Sequence, residues 1–420
     1  MAIGQRRSPS GRISLRVAVT NFADWLLFWT GDAFTSQAVV LPLFVQRLTD
    51  SPLAVGLIPT IWGFGFFVPQ LIAAAYAQRL PYKLWYGIAC FSFQRLAMLL
   101  LAILSMLWAV EQPMLMLAAF FVLFGVAAIA TGTGTPFHQD VVAKVVPVQM
   151  RGRLRGYALT IAGIFGTLGG LAARDLLDYF AFPIGFAICF LIAAVLGVIS
   201  LVFIAFIPEP RSNTSAATTS FGRHFAQIPR ILRSDRDFAW FLISRVVFGL
   251  GLLGTPFLAV HAVSAFQLPD SATGTLIAAY TGGFMIATLC MAWLTDRFGN
   301  KLSLSIGSLA MALSLGLAAW APSAEWVVIA LALSGVQNAS YLISGIMIVL
   351  EFAPDTERPI YIAIASTIIA PVSIAAPLLG GVLASVVGYR TLFAVALIPA
   401  LLGWAILQFW VREPRTVRVA

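Results

Sequence analysis

Long apolar runs alternate with short polar breaks along this chain, and each run has the length of a bilayer crossing. Candidate spans fall at about 17–45, 52–77, 84–108, 113–136, 156–178, 184–207, 238–262, 274–294, 302–320, 326–350, 361–385 and 391–411. About 20 apolar residues in a helix cross the hydrocarbon. Each span is predicted to be helical, because lipid offers backbone amides and carbonyls no partners. Trp25, Trp85, Trp108, Trp240, Trp293, Trp320, Trp326 and Trp410 stand near span ends. Indole rings suit that boundary, apolar on one side and wet on the other.

The one sizeable break is 208–237. Pro208-Glu209-Pro210-Arg211 ends the sixth span, Ser212 to Ser220 reads as a flexible linker, and His224 to Asp237 reads as a basic, partly amphipathic surface helix. The expected organisation is an N-terminal six-helix unit at 1–207, a linker at 208–237 and a C-terminal six-helix unit at 238–420.

The two units echo each other. The loop Ala292-Trp293-Leu294-Thr295-Asp296-Arg297-Phe298-Gly299-Asn300-Lys301 has a weaker copy at Ala74 to Lys83. Arg297 answers Arg79, Lys301 answers Lys83, Asp296 answers Gln78, and Gly299 answers Pro81. A Pro-x-x-x-Arg follows the fourth span (Pro147, Arg151) and the tenth (Pro354, Arg358). Gly169-Gly170 lies in the fifth span and Gly380-Gly381 in the eleventh, while Pro42 matches Pro256. Echoes in the same order point to one six-span unit used twice.

Composition strengthens this picture. Apolar residues make up 60% of the chain and charged residues 10%, with a mean hydropathy of +0.93; soluble domains carry about 25% charged residues. Of 26 Lys and Arg residues, 21 fall in the tails and on the loops that share their side, against Arg47, Arg174 and Arg390 on the opposite side. By the positive-inside rule both termini are expected in the cytoplasm. The net charge of +9 thus reads as orientation, not as nucleic-acid affinity. Cys90, Cys189 and Cys290 lie inside apolar runs without metal-ligand spacing.

The Asp-Arg-x-Gly-x-Lys pattern of Asp296 to Lys301 resembles the loop motif of the major facilitator superfamily of secondary transporters. The first glycine of that motif is Ala292 here, and the first copy has lost its acidic residue. The resemblance covers essentially the whole chain. It implies an all-α membrane protein with twelve transmembrane helices in two pseudo-symmetric six-helix bundles around a central cavity. It further implies that the loop is an inner gate latch, involving Arg79, Lys83, Asp296, Arg297, Gly299 and Lys301. Positive-inside charge alone is the plainer account of the basic members. The first, fourth, seventh and tenth helices would line the cavity. Drug-exporting members carry Gly-Pro-x-x-Gly-Gly in the fifth helix; here the nearer match, Ala376-Pro377-Leu378-Leu379-Gly380-Gly381, is in the eleventh.

Charges at membrane depth carry the candidate chemistry, because they are expensive there. Asp32 stands near the middle of the first span, with Asp24 eight residues earlier, about 12 Å along the helix and nearly on one face. A carboxylate in a low-dielectric cavity can load and release a proton when its surroundings alternate. Asp32 is therefore the first candidate for proton coupling and Asp24, read as closer to water, the second. A fixed Asp32–Arg95 or Asp32–Arg245 ion pair that merely braces helices is one alternative, and direct contact with substrate is another. Thr35, Gln37, Arg95, Arg245, Gln337, Asn338 and Tyr341 are candidate cavity residues, with interhelical hydrogen bonding as the competing account of the uncharged ones. The Thr131–Thr135 run reads as helix distortion. His138 and Asp140 end the fourth span, with Lys144 beyond.

No Walker A or nucleophile-elbow pattern is present. The expectation is therefore a non-enzyme without cofactor or metal: a monomeric, multi-pass plasma (inner) membrane transporter. It would exchange protons for a lipophilic or amphiphilic small molecule moving outward. Uptake of a small metabolite by symport, or a non-transporting membrane scaffold or assembly factor, stays open.

Overall fold

A computed structural model describes residues 15–77, 79–146, 148–211, 221–268, 272–354 and 357–414. Gln78 and Pro147 lie outside the described residues, as do Ser212 to Ser220 of the expected linker. The described chain is helical throughout. Its helices are α1 Leu15–Phe34, α2 Val40–Leu48, α3 Pro52–Ala77, α4 Leu84–Trp108, α5 Pro113–Val145, α6 Val148–Tyr179, α7 Ile184–Ala205 and α8 Phe221–Ser234. They continue with α9 Arg236–Gly251, α10 Leu258–Phe266, α11 Ala272–Phe298, α12 Asn300–Ala319, α13 Ala324–Ser344, α14 Met347–Phe352 and α15 Arg358–Trp410.

Twelve crossings emerge once the breaks are accounted for. α1 and α2 form one span, interrupted at Thr35–Val39, where the Ser36 carbonyl accepts the amides of Val39 and Leu41. In the other half α9 tightens into a 3-10 turn at Leu252–Phe257 before α10. Pro256 sits inside that turn and Pro42 in the first turn of α2. A proline lacks the amide that would continue the ladder and clashes with the preceding turn, so each half breaks its first helix near its proline. α13 and α14 share one span. α15 is two spans joined at Gly388, whose φ of 78° allows the reversal a side chain would resist.

The apolar core is continuous at one end of the molecule and divided at the other. Val40, Phe44, Leu258, Val260, Leu276 and Leu392 belong to one cluster shared by both halves, at the end opposite the termini. Within it Phe44 packs against Phe120, Phe182, Phe186 and Phe190, with ring centroids 5.1–6.1 Å apart. Toward the termini the core splits. Phe238, Phe241, Phe352 and Tyr361 form one cluster in the C-terminal half, and Leu84, Phe91, Val141 and Ile204 another in the N-terminal half. Ile231 of α8 joins the first of these, so the helix expected on the membrane surface is docked on the C-terminal bundle.

The halves meet along α3 against α15 and α6 against α11. The two glycine pairs divide their labour there in the same way. Gly169 faces Phe34 and Gly380 faces the Leu253 carbonyl, each in its own half. Gly170 faces Ile277 and Gly381 faces Pro52 and Leu53, each across the interface. A Cβ at Gly381 would lie 2.9 Å from the Leu53 Cα, so a side chain there would wedge the halves apart. Thr60 Oγ1 donates to the Ile374 carbonyl at 2.9 Å, a direct hydrogen bond between halves.

Candidate functional site

A cavity of about 350 Å³ lies between the halves, where the broken span α1–α2 meets α3, α6, α11 and α13. Five aromatic residues line it, Phe28, Trp29, Trp62, Tyr280 and Phe284, among small residues such as Ala33 and Gly166. Its polar side chains are Asp32, Ser36, Gln37, Tyr280, Thr281 and Asn338. Asn338 Nδ2 donates to the Tyr280 hydroxyl at 2.6 Å, and Ser36 and Gln37 border the same space. Asp32 supplies the one acidic group on the wall. Its carboxylate makes no hydrogen bond and no ion pair within 4.0 Å among the described residues. Neither brace considered from sequence, Asp32–Arg95 or Asp32–Arg245, is formed. Arg95 nevertheless shares a small side cleft of about 20 Å³ with Asp32, Thr35 and Gln94.

Asp24 differs from its sequence reading as a solvated residue. It is 5% exposed and faces the interior of the N-terminal bundle, away from the cavity wall. Ser200 of α7 donates to Asp24 Oδ1 at 2.6 Å, and His138 Nε2 of α5 lies 3.4 Å from Oδ2. Arg95 of α4 is buried nearby. Its Nε donates to the Gly197 carbonyl at 3.2 Å, a second N–H reaches Gln94 Oε1, and its guanidinium lies over the rings of Phe28 and Phe91. Four helices of one bundle thus enclose a polar cluster in which Ser200 bonds Asp24 and Arg95 is met by Gly197 and Gln94, while His138 Nε2 lies near Asp24 without a hydrogen bond.

The polar face read on α13 is divided by the turn of the helix. Asn338 borders the central cavity. Tyr341 borders a second cavity, of about 70 Å³, with Arg245 of α9. Gln337 lines neither and has its Cα beside Gly307 of α12. Thr131, Thr133 and Thr135 each donate to the carbonyl four residues back, at 2.7–2.8 Å. Their hydroxyls are satisfied inside α5, which runs as one helix through this stretch.

At the end that bears the termini, the loop residues act through partners the motif did not name. In the N-terminal half Lys83 Nζ pairs with Asp140 at 2.7 Å, and Lys144 pairs with Asp140 at 2.6 Å and with Glu209 at 3.2 Å. Glu209 also accepts the backbone amides of Lys83 and Leu84 at 2.8–2.9 Å, capping the N-terminus of α4 with a charge that suits the helix dipole. In the C-terminal half Gly299 has φ 92° and lies directly against the Glu413 carboxylate, leaving no room for a side chain. Asn300 donates to Glu351 at 2.7 Å and Lys301 to the Gln408 carbonyl at 3.0 Å. Each of these contacts stays inside its own half. Arg79, Asp296 and Arg297 are exposed, with Arg297 lying over the rings of Trp293 and Phe298. Glu209 has a visible sequence signal: Glu-Pro-Arg recurs at Glu209-Pro210-Arg211 and Glu413-Pro414-Arg415.

Comparison with known proteins fits this geometry. The sequence matches the Major Facilitator Superfamily over residues 25–262 and again over 252–420. It is similar to the multidrug efflux pump LfrA of Mycolicibacterium smegmatis (strain ATCC 700084 / mc(2)155), with 33% identity over 177 residues. That stretch is 39% of this chain, and it spans only about a third (35%) of the efflux pump's length. The fold is similar to a point mutant of the nucleoside transporter NupG, with a TM-score of 0.68 at 15% identity over 95% of this chain and 99% of that one. It is also similar to a POT family transporter in complex with 5-aminolevulinic acid, with a TM-score of 0.68 at 13% identity over 94% and 96% of the two chains. A repeated six-helix unit, a cavity between the units, and a family match across nearly the whole length agree: this chain is an integral, multi-pass membrane protein and belongs to the major facilitator superfamily of transporters.

Proposed function

We propose that the chain is a proton-coupled exporter of a small lipophilic or amphiphilic molecule, working by alternating access, with Asp32 as its proton site. The observation that carries this reading is a carboxylate with no ion partner among the described residues, on the wall of a cavity between two halves that five aromatic residues help to line. A buried charge held by a fixed partner has no reason to change state; one without a partner can gain and lose a proton as water reaches it from alternate sides. Aromatic walls supply apolar contact area, and the Asn338–Tyr280 pair supplies the few directed polar groups such a site needs. The local likeness to a multidrug efflux pump supports outward transport.

The split core near the termini and the shared core at the far end support reading this as a state open toward the terminus-bearing side. With the charge bias of the loops, that side is the cytoplasm and the membrane is the plasma (inner) membrane. Arg79, Lys83, Asp296, Arg297, Gly299 and Lys301 then belong to the inner gate, which is open in this state. In that state Lys83 pairs with Asp140 and Lys301 with the Gln408 carbonyl, each within its own half.

The test uses purified protein in liposomes loaded with a pH-sensitive dye, with neutral, cationic and anionic fluorescent amphiphiles as probes. Probe movement by the parent protein should drive a proton current of opposite direction, and Asp32→Asn should lose it while binding the probe. Undiminished proton movement in Asp32→Asn would remove this residue from the mechanism.

A further inference from the structure

Arg245 is a buried cation without an anion. It is 6% exposed, yet it makes no hydrogen bond or ion pair among the described residues. Two ring faces lie against it: its Cζ is 4.7 Å from the Phe248 centroid and 5.1 Å from that of Tyr341. Contacts of this kind leave the guanidinium's in-plane N–H donors without acceptors. An arginine presents five such donors in a planar fork that matches a carboxylate two bonds at a time.

The surroundings say what size of group would fit. Arg245 borders the second cavity, of about 70 Å³, together with Tyr341, Ser366 and Phe67. One water needs roughly 10–15 Å³ measured in this way, so the space takes a small head group and not a whole substrate. Phe67 comes from the N-terminal half and the other three residues from the C-terminal half, so the cavity belongs to the moving interface. The two cavities are bordered by residues one turn apart on α13: Tyr341 follows Asn338 by three residues, a rise of about 4.5 Å. The aromatic residues of the larger cavity suit the apolar body of a molecule whose acidic end lies beside Arg245.

We infer that Arg245 forms an anion subsite that receives a carboxylate of the transported molecule, so that the substrate is an amphiphile with an acidic end. The inference rests on the transport reading above and narrows its substrate class. A purely structural arginine would have an internal acceptor, as Arg95 has in the carbonyl of Gly197.

The experiment is a thermal-shift titration of the purified full-length protein in detergent, with three probes: benzoate, its neutral counterpart benzamide, and chloride. Benzoate should raise the unfolding midpoint in a saturable way, and benzamide and chloride should not. Arg245→Met should weaken benzoate binding at least about tenfold, the worth of a charge-assisted hydrogen bond. The same variant should fold, since it replaces an uncompensated charge by an apolar side chain of similar length. Arg245→Lys, which keeps the charge without the fork, should recover part of the binding. An equal benzoate shift in Arg245→Met overturns the proposal. So does a chloride shift as large as that of benzoate, which would mark an inorganic-anion site only. No transport step enters this measurement, so a failure here is separable from a failure of proton coupling at Asp32.

Discussion

The two bundles share a plan but treat their buried charges in opposite ways. In the N-terminal half Asp24 is held by Ser200, lies beside His138 and has Arg95 within the same interior. In the C-terminal half Arg245 lies against the rings of Phe248 and Tyr341 and makes no hydrogen bond or ion pair among the described residues. Between them Asp32 faces the shared cavity unpaired. A charge that is satisfied inside one bundle serves that bundle's architecture. A charge left unsatisfied at the interface is available to a visitor. Duplication supplied the scaffold twice; the difference in charge compensation is where the chemistry of transport would be written.

Unfolding midpoints in detergent can break or sharpen this comparison. The largest loss is expected for Asp24→Ala, which strands His138 and takes the acceptor from Ser200; breaking such a buried cluster costs about 3 kcal/mol. Glu209→Ala uncaps α4 and takes one of the two carboxylates from Lys144, and should cost about 1–2 kcal/mol. In the other half, Asn300→Ala removes one hydrogen bond to Glu351 and should cost about 1 kcal/mol. Arg245→Met should be the smallest, within about 0.5 kcal/mol of the parent or on the stabilising side, because it deletes a charge that nothing in the resting protein compensates. An order in which Arg245→Met is as damaging as Asp24→Ala would mean that both arginine-bearing interiors are structural, and the contrast would be lost.

The fold was largely legible in the sequence because lipid imposes a severe rule: every crossing needs an apolar, helical stretch of fixed length. That rule located the crossings and, with the repeated loop and glycine pairs, the duplication. It did not locate the breaks at Thr35–Val39 and Leu252–Phe257, since a proline permits an interruption without dictating its form. The site was legible only in part. Asp32, Asn338 and Arg245 stand out as polar groups in oily helices, but helical spacing alone could not say that Asn338 and Tyr341 open onto different cavities. Tyr280 and Ser200 escaped notice because their residue types are ordinary in such helices, and only tertiary neighbours make them polar partners. Glu209 was masked by its position in a charged break, where a solvated carboxylate is the plain expectation; its bonds to Lys83 and Leu84 required α4 to begin where it does. Asp24 was misjudged because distance from the span's end says little about which way the helix faces.

The central claim is that the Asp32 cavity opens in turn to the two sides of the membrane. Labelling at Gln37→Cys tests it most directly, since Gln37 borders that cavity and the natural Cys90 and Cys290 can be replaced by alanine first. A membrane-impermeant maleimide should reach this cysteine from the terminus-bearing side in the resting protein. An imposed proton gradient should then shift labelling toward the opposite side, and Asp32→Asn should blunt that shift. Labelling from one side only, unchanged by the gradient, would contradict the account.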